Sequence, residues 1–183
     1  MNLLMALALV SAVLLALGIW RIGLRRQGYS HIGHTISELG EAGAPCAKQV
    51  AFGVFLPFGL SMMAVGWLTR ASHPPAAALA ICIGVGYLGA ALFPSDPGSP
   101  LIGSWRQALH NLAGAIQYVG GAAVIWRLQM GHAAYALLAW VVGGAAVLLS
   151  LPAARPWRGG VQRVAELALL ASLVLVLRMP HAA

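Results

Sequence analysis

The sequence predicts an all-α protein, a polytopic transmembrane bundle of about six helices. Hydrophobic residues make up 60% of the 183 residues and charged residues only 8%, whereas a soluble domain carries about 25% charged residues. The apolar residues also fall into about six runs, most of them close to the roughly 20 residues that a helix needs to cross the hydrocarbon core of a bilayer. Most of the surface of such a chain must therefore face lipid.

Short polar or Pro/Gly-rich segments separate the predicted spans. These spans cover residues 2–20, 50–69, 75–93, 105–126, 133–151 and 161–178. The first run has neither a basic segment before it nor a small-residue cleavage site after it, so we interpret it as a span rather than a secretory signal. We expect a single integral membrane domain over residues 1–183.

Basic residues predict the orientation of the chain. Most of them border the first, third and fifth connections: Arg21, Arg25, Arg26, Lys48, Arg106, Arg155, Arg158 and Arg163. The positive-inside rule then places these three connections in the cytoplasm and both termini outside, as in a bacterial inner-membrane protein. The net charge of +7 is explained by this topology, and we expect no nucleic-acid partner.

Groups that can act as acids, bases or ligands gather on that same side. The predicted spans place there all the acidic residues and three of the histidines: Glu38, Glu41, Asp96, Glu166, His31, His34 and His110. The remaining histidines fall on the opposite side, where we expect them at the surface: His73, His132 and His181. A cluster of ionisable groups confined to one face indicates a functional site.

The first connection admits two interpretations. If it is helical, His31, His34 and Glu38 share one face at spacings of i, i+3 and i+7, and they could offer imidazole and carboxylate ligands to zinc. Alternatively, Thr35 and Glu38 form a capping box, the Ser/Thr-x-x-Glu pattern that closes the start of a helix. In that case His31 lies outside the helix and the shared face is lost.

The fourth span carries polar residues that are costly in lipid. Arg106, His110 and Gln117 recur on one stripe, and Asn111 follows His110. Ionisable residues inside a span usually face the bundle and indicate function, although His110 could instead only bond a neighbouring helix. Asp96, in the preceding Pro-rich connection, is the expected partner that orients His110, unless it only stabilises a turn.

Two further patterns have structural alternatives. Arg163 and Glu166 are spaced to pair at i, i+3, either in a site or as an anchor near the membrane face. Gly84, Gly86 and Gly89 match the dinucleotide pattern G-x-G-x-x-G as text, but they lie in an apolar run with no strand before them. We therefore expect close helix packing there and no nucleotide cofactor.

Several motifs together resemble a known bacterial family. They are Tyr29 to Gly40, Phe93-Pro94-Ser95-Asp96, His110 to Gly114, and Gly160 to Arg163. With these residues the chain resembles the integral membrane proteins catalogued as domain of unknown function 998. More distantly, Ile36 to Gly40 with Pro45 and Phe52-Gly53 is similar to the first loop of the six-helix Frag/DRAM/Sfk group, which is associated with lipid remodelling and membrane trafficking.

The expected function is binding or modification of a lipid at one membrane face. In a hydrolytic version His110 is the general base, Asp96 orients it, and Ser37 or a bound metal supplies the nucleophile. The residues expected at the site are His110, Asp96, Ser37 and Glu38 for catalysis; His31, His34, Asn111, Arg106, Gln117, Arg163 and Glu166 for the ligand; and His34, His110 and Asp96 for a divalent metal such as zinc.

A non-catalytic scaffold, or a transporter of a small solute or of protons, is the alternative from a different class. Coupling sites of transporters usually lie near the bilayer midplane. The predicted spans place no acid at that depth, and Gln117 alone approaches it. This distribution favours an enzyme or a binder over a transporter.

Overall fold

A computed structural model describes residues 3–128 and 133–179, and within these ranges every regular element is a helix. Five of the described helices are long and apolar enough to cross a membrane. The predicted fold class, an all-α transmembrane bundle, is confirmed, and the chain is a multi-pass integral membrane protein.

The helices are numbered in chain order. They are α1 (Leu3–Arg25), α2 (Ile36–Leu39), α3 (Ala47–Thr69), α4 (Pro74–Leu92), α5 (105–127), α6 (Ala133–Ser150) and α7 (Arg158–Leu177). A 3₁₀ turn, Pro152–Trp157, leads into α7. Helix α1 continues to Arg25, so the first connection begins at residue 26 rather than at residue 21.

Helix α5 covers the predicted fourth span, but it is the one long helix of the described chain that falls outside the strongly apolar set. Its amino-terminal part, Trp105–Ala115, is amphipathic and buries Gln107 and His110. Farther along, Gln117 is also buried. The polar residues therefore lower the hydropathy of α5 while facing the bundle rather than lipid, as expected for polar groups within a span.

Helix α2 begins with the capping box. Thr35 Oγ1 accepts a hydrogen bond from the Glu38 amide at 3.1 Å, and Glu38 Oε2 accepts one from the Thr35 amide at 2.5 Å. The helix starts after Thr35, so the face proposed for His31, His34 and Glu38 does not form. The capping interpretation of this segment is correct, because the Glu38 carboxylate accepts a hydrogen bond from the N-cap residue Thr35.

Glycines allow α3, α4 and α5 to approach closely. A Cβ atom added at Gly84 would lie 2.9 Å from Met63 Sδ, and one added at Gly59 would lie 2.9 Å from Leu88 Cγ. At Gly89 an added Cβ would collide with the Ala113 side chain. The glycines of the G-x-G-x-x-G pattern therefore serve helix packing, because small residues let the backbones of neighbouring helices approach each other.

Arg163 ties α7 to the first connection rather than to Glu166. Its guanidinium donates to the carbonyl oxygens of His31, His34 and Gly159 at 2.6, 3.2 and 2.9 Å. It also lies 2.9 Å from both the Tyr29 hydroxyl and His31 Nδ1. The expected Arg163–Glu166 pair does not form, because the Arg163 guanidinium instead bonds carbonyl oxygens of the irregular first connection.

The environment of Arg163 shifts two nearby groups. Burial and the adjacent Arg163 charge lower the pKa of His31. Burial raises the pKa of Tyr29, although Arg163 opposes that shift. His31 is therefore held neutral and accepts from Arg163 through Nδ1.

The histidines on the opposite side do not all follow the prediction. His73 is buried rather than exposed, and its Nε2 lies 3.2 Å from the carbonyl oxygen of Met179. This contact joins the start of α4 to the end of α7. His132 and His181 lie outside the described residues.

Candidate active site

A cavity of about 200 Å³ lies among α2, α4, α5, α6 and α7. Its polar lining includes Ser37, Tyr87, His110, Gln117, Tyr118 and Glu166. Ala115 and Val119 of α5 also line it and are exposed. The cavity therefore extends from buried polar groups to exposed apolar residues.

Ser37 and His110 form a hydrogen-bonded pair at one end of this cavity. His110 Nε2 lies 3.0 Å from Ser37 Oγ, and His110 Nδ1 lies 2.9 Å from the carbonyl oxygen of Phe93. A carbonyl can only accept, so Nδ1 carries the proton and Nε2 accepts from the Ser37 hydroxyl. This is the arrangement of a nucleophile beside a general base whose tautomer is fixed by a third group.

The group that fixes His110 is not Asp96. The Asp96 carboxylate accepts from the Ser104 amide at 2.6 Å and from the Ser104 hydroxyl at 2.8 Å. These hydrogen bonds lower the pKa of Asp96. Asp96 has a structural role, but not the predicted one within its own turn, because its carboxylate bonds Ser104, the residue that caps α5. The carbonyl of Phe93 orients His110 instead.

Glu166 occupies the other end of the cavity. Its carboxylate accepts from Gln117 Nε2 at 2.8 and 2.9 Å and from the Tyr118 hydroxyl at 2.5 Å. Gln117 lies near the middle of α5, so the sequence-based placement of Glu166 near the membrane face is wrong. Helix α7 begins at Arg158, three residues before the predicted span, so Glu166 is the ninth of its 20 residues and meets a central residue of α5.

A chain of hydrogen bonds connects Glu166 to the start of α2. Gln162 Oε1 accepts from the Ile36 amide at 2.6 Å, and Gln162 Nε2 donates to the Tyr118 hydroxyl at 3.1 Å. Tyr118 in turn donates to Glu166. The residue next to Ser37 is therefore linked to the buried carboxylate through two side chains.

A π-helical turn at Ile116–Gly120 places Gln117 and Tyr118 together on Glu166. Adjacent residues of a regular α-helix point in different directions, and a wider turn changes that relation. Such turns occur frequently at functional sites. Tyr118, Tyr87 and Gln162 were not among the residues predicted from the sequence, although Gln162 was visible as a polar residue in an apolar span.

Asn111 and Arg106 have structural positions. Asn111 lines the cavity, but its amide donates to the carbonyls of Pro100 and Leu101 and so fastens the third connection to α5. Arg106 is exposed and lies 5.8 Å from the ring centre of Trp105. Two of the three residues of the predicted stripe, His110 and Gln117, therefore line the cavity, and the exposed Arg106 does not.

The expected metal set is not brought together. In residues 3–128 and 133–179 no group of three or more His, Cys, Asp or Glu side chains could hold a metal ion. His34 Nδ1 instead accepts from the Ser30 amide at 2.9 Å. His110 and Asp96 are bonded to Ser37 and Ser104 respectively, so the three predicted ligands have separate partners.

Arg158 lines the cavity, although from the sequence it was used only to predict the orientation of the chain in the membrane. Its guanidinium donates to the carbonyls of Gly98 and Ser99 at 3.2 and 2.8 Å. Its Nε is buried and has no hydrogen-bond partner among the described residues. The Arg158 side chain thus lines the same cavity as Ser37 and His110.

Gly86→Ala should disrupt this site. A Cβ atom at position 86 would lie 2.7 Å from Gln117 Cβ and Cδ and would overlap Oε1. Overpacking of this kind costs about 1–3 kcal/mol, and we expect Gln117 to leave Glu166. Thermal unfolding should show this loss as a lower unfolding temperature. In the control Gly144→Ala the added Cβ atom has no neighbour within 4 Å, so the unfolding temperature should be unchanged or slightly raised. Equal unfolding temperatures for the two variants would contradict this packing.

Comparison with known proteins identifies a family but no characterised relative. No curated protein and no solved structure matches the chain. A family model described as "Protein of unknown function (DUF998)" matches residues 9–179. Because this match covers nearly all of the chain, the protein belongs to the DUF998 family.

Proposed function

We propose that this membrane protein hydrolyses an ester bond of a lipid-like amphiphile, with Ser37 as the nucleophile and His110 as the general base. The observation that carries the proposal is the 3.0 Å contact between Ser37 Oγ and His110 Nε2. Ser37 is partly exposed to the cavity and His110 is buried behind it. A buried base beside an accessible hydroxyl is the geometry that nucleophilic catalysis requires.

The reaction proceeds by acyl transfer. Ser37 Oγ attacks the carbonyl carbon of the ester while His110 Nε2 takes the hydroxyl proton. As the tetrahedral intermediate collapses, the bond to the alcohol breaks and His110 protonates the departing oxygen. Water then attacks the acyl-serine with His110 again as base, which releases the carboxylic acid and regenerates Ser37.

Arg158 supplies the positive charge that this chemistry needs. Its side chain lines the cavity, and its buried Nε–H has no hydrogen-bond partner among the described residues. A preorganised donor in a water-poor site stabilises a developing oxyanion more strongly than a donor in water. The same group could also hold a phosphate of the substrate.

The size and position of the cavity favour an amphiphilic substrate. Its volume of about 200 Å³ is below the roughly 300–1,000 Å³ typical of sites that enclose a whole drug-sized ligand. It can hold the reacting bond and a small headgroup. The exposed apolar residues at its edge, Ala115 and Val119, would let acyl chains extend into the surrounding lipid.

We also propose the orientation expected from the basic residues. In this arrangement the protein lies in a bacterial inner membrane, with the first, third and fifth connections in the cytoplasm. Ser37 belongs to the first of these connections. The reaction would then take place at the cytoplasmic side of the bilayer.

Ester turnover by the purified, detergent-solubilised protein tests this proposal. We expect hydrolysis of medium-chain p-nitrophenyl esters, and a fall of at least roughly 10³-fold in Ser37→Ala, as for loss of a catalytic nucleophile. Ser61→Ala is the matched control, because this serine is partly exposed on α3, as Ser37 is on α2, and bonds the Pro57 carbonyl at 2.9 Å. Turnover that survives in Ser37→Ala would overturn the proposal.

A further inference from the structure

Glu166 lacks a positively charged partner in the described chain. The ion pair found there joins Arg26 and Glu41 at 2.5 Å. Glu166 is only 6% exposed, yet Gln117 and Tyr118 donate three hydrogen bonds to its carboxylate. This arrangement is built to hold a carboxylate, and an unpaired charge in the interior of a membrane bundle is costly.

The nearest basic side chains of α7 are committed elsewhere. Arg163 lies one turn before Glu166, but it is bonded to the first connection. Arg158 is bonded to the carbonyls of Gly98 and Ser99. Neither guanidinium neutralises Glu166, and a cationic occupant of the cavity would supply the charge that the described residues do not.

Aromatic side chains complete the surroundings of the carboxylate. Phe55, Tyr87 and Tyr118 line the same cavity, and the rings of Phe55 and Tyr87 meet edge to face with centres 5.6 Å apart. The Tyr87 hydroxyl lies near Glu166, is on a residue only 4% exposed, and makes no hydrogen bond of acceptable geometry among the described residues. Aromatic rings beside a carboxylate are the groups that recognise organic ammonium ions.

We propose that Glu166, Tyr87 and Tyr118 bind an organic ammonium group, so that the substrate is an amphiphile with a cationic headgroup. This inference rests on the proposed ester hydrolysis for the identity of the substrate, but not for the binding itself. The hydrogen-bonded path from Ile36 through Gln162 and Tyr118 to Glu166 joins the two ends of the cavity. One ligand can therefore place its ammonium at Glu166 and its ester at Ser37.

Binding of small probes to the native detergent-solubilised protein tests the inference. Choline and ethanolamine represent quaternary and primary ammonium ions, and 3,3-dimethylbutanol is the neutral isostere of choline. At matched ionic strength we expect isothermal titration calorimetry to give a Kd at least about 10-fold lower for choline than for its isostere, or 1.4 kcal/mol. Given that preference, a higher affinity for ethanolamine than for choline would assign recognition to N–H donors, and a lower affinity would assign it to the aromatic rings.

Variants separate this inference from the proposed reaction. Glu166→Gln should abolish the preference for choline, whereas Glu41→Gln, which removes a carboxylate near the membrane face, should retain it. Ser37→Ala should bind choline normally while losing ester turnover. Equal affinities for choline and 3,3-dimethylbutanol in the native protein would overturn the inference even if Glu166→Gln fails to fold. Choline binding without ester turnover in the native protein would instead overturn only the proposed reaction.

Discussion

His110→Gln is expected to lower ester turnover by roughly 10²- to 10⁴-fold, the contribution that general base catalysis typically makes. Glutamine can still donate to the Phe93 carbonyl, which His110 Nδ1 contacts at 2.9 Å. It cannot take a proton from Ser37. The fold should therefore persist while the chemistry is lost, and circular dichroism with thermal unfolding should show a helical protein of nearly native stability.

His34→Gln is the matched control for this prediction. His34 accepts from the Ser30 amide and was expected from the sequence to share a metal with His110. We expect this variant to retain the kcat of the native protein, because the two histidines have separate partners. A parallel collapse of kcat in both variants would contradict the pairing of Ser37 with His110 as nucleophile and base and would indicate a shared function of the two imidazoles.

Arg163→Ala is expected to destabilise the fold strongly. The guanidinium satisfies the carbonyls of His31, His34 and Gly159, and its removal leaves these acceptors and the Tyr29 hydroxyl without their donor. An unsatisfied buried polar group costs about 1–3 kcal/mol, so a loss of about 3–5 kcal/mol in the free energy of unfolding is expected from the group as a whole.

Unfolding in denaturant, monitored by circular dichroism, measures this effect. Arg155→Ala is the control, because Arg155 is exposed in the 3₁₀ turn before α7 and surface substitutions usually change stability by less than about 0.5 kcal/mol. Arg163→Lys should fall between the two, since a lysine retains the charge without the planar fork. Similar stabilities of Arg163→Ala and Arg155→Ala would show that the first connection does not depend on this residue.

The long helices could be predicted from the sequence because a membrane imposes a simple requirement. Each span needs a sustained apolar run, and chain breaks are visible as polar or Pro-rich segments. Helix α6, Ala133–Ser150, differs by one residue from the predicted 133–151. Helix α5 was also predicted, because its polar residues remain few enough for an apolar run to be recognised.

The site was predictable only in part. His110, Gln117 and Ser37 were candidates because polar or nucleophilic side chains near a span are conspicuous. Tyr87 and Tyr118 were missed because tyrosine is common in apolar helices and no pattern shows which hydroxyl faces a cavity. The π-helical turn that brings Gln117 and Tyr118 to one carboxylate has no evident sequence signature.

The errors at Asp96 and Arg163 share one physical cause. Sequence reasoning pairs charged side chains with other ionisable side chains. Asp96 instead bonds the amide and hydroxyl of the helix-capping Ser104, and Arg163 bonds carbonyl oxygens of the first connection. Phe93 orients His110 through a carbonyl oxygen, which every residue possesses. Such partners follow from the path of the chain and cannot be recognised from residue types.

Covalent labelling by a fluorophosphonate tests most directly whether Ser37 is an activated nucleophile. This reagent phosphonylates serines that are activated in this way, and peptide mass spectrometry locates the adduct. We expect modification of Ser37 in the native protein, much slower modification in His110→Gln, and no comparable reaction at the partly exposed Ser61. A native protein in which Ser37 reacts no faster than Ser61 would contradict the assignment of Ser37 and His110 as nucleophile and base.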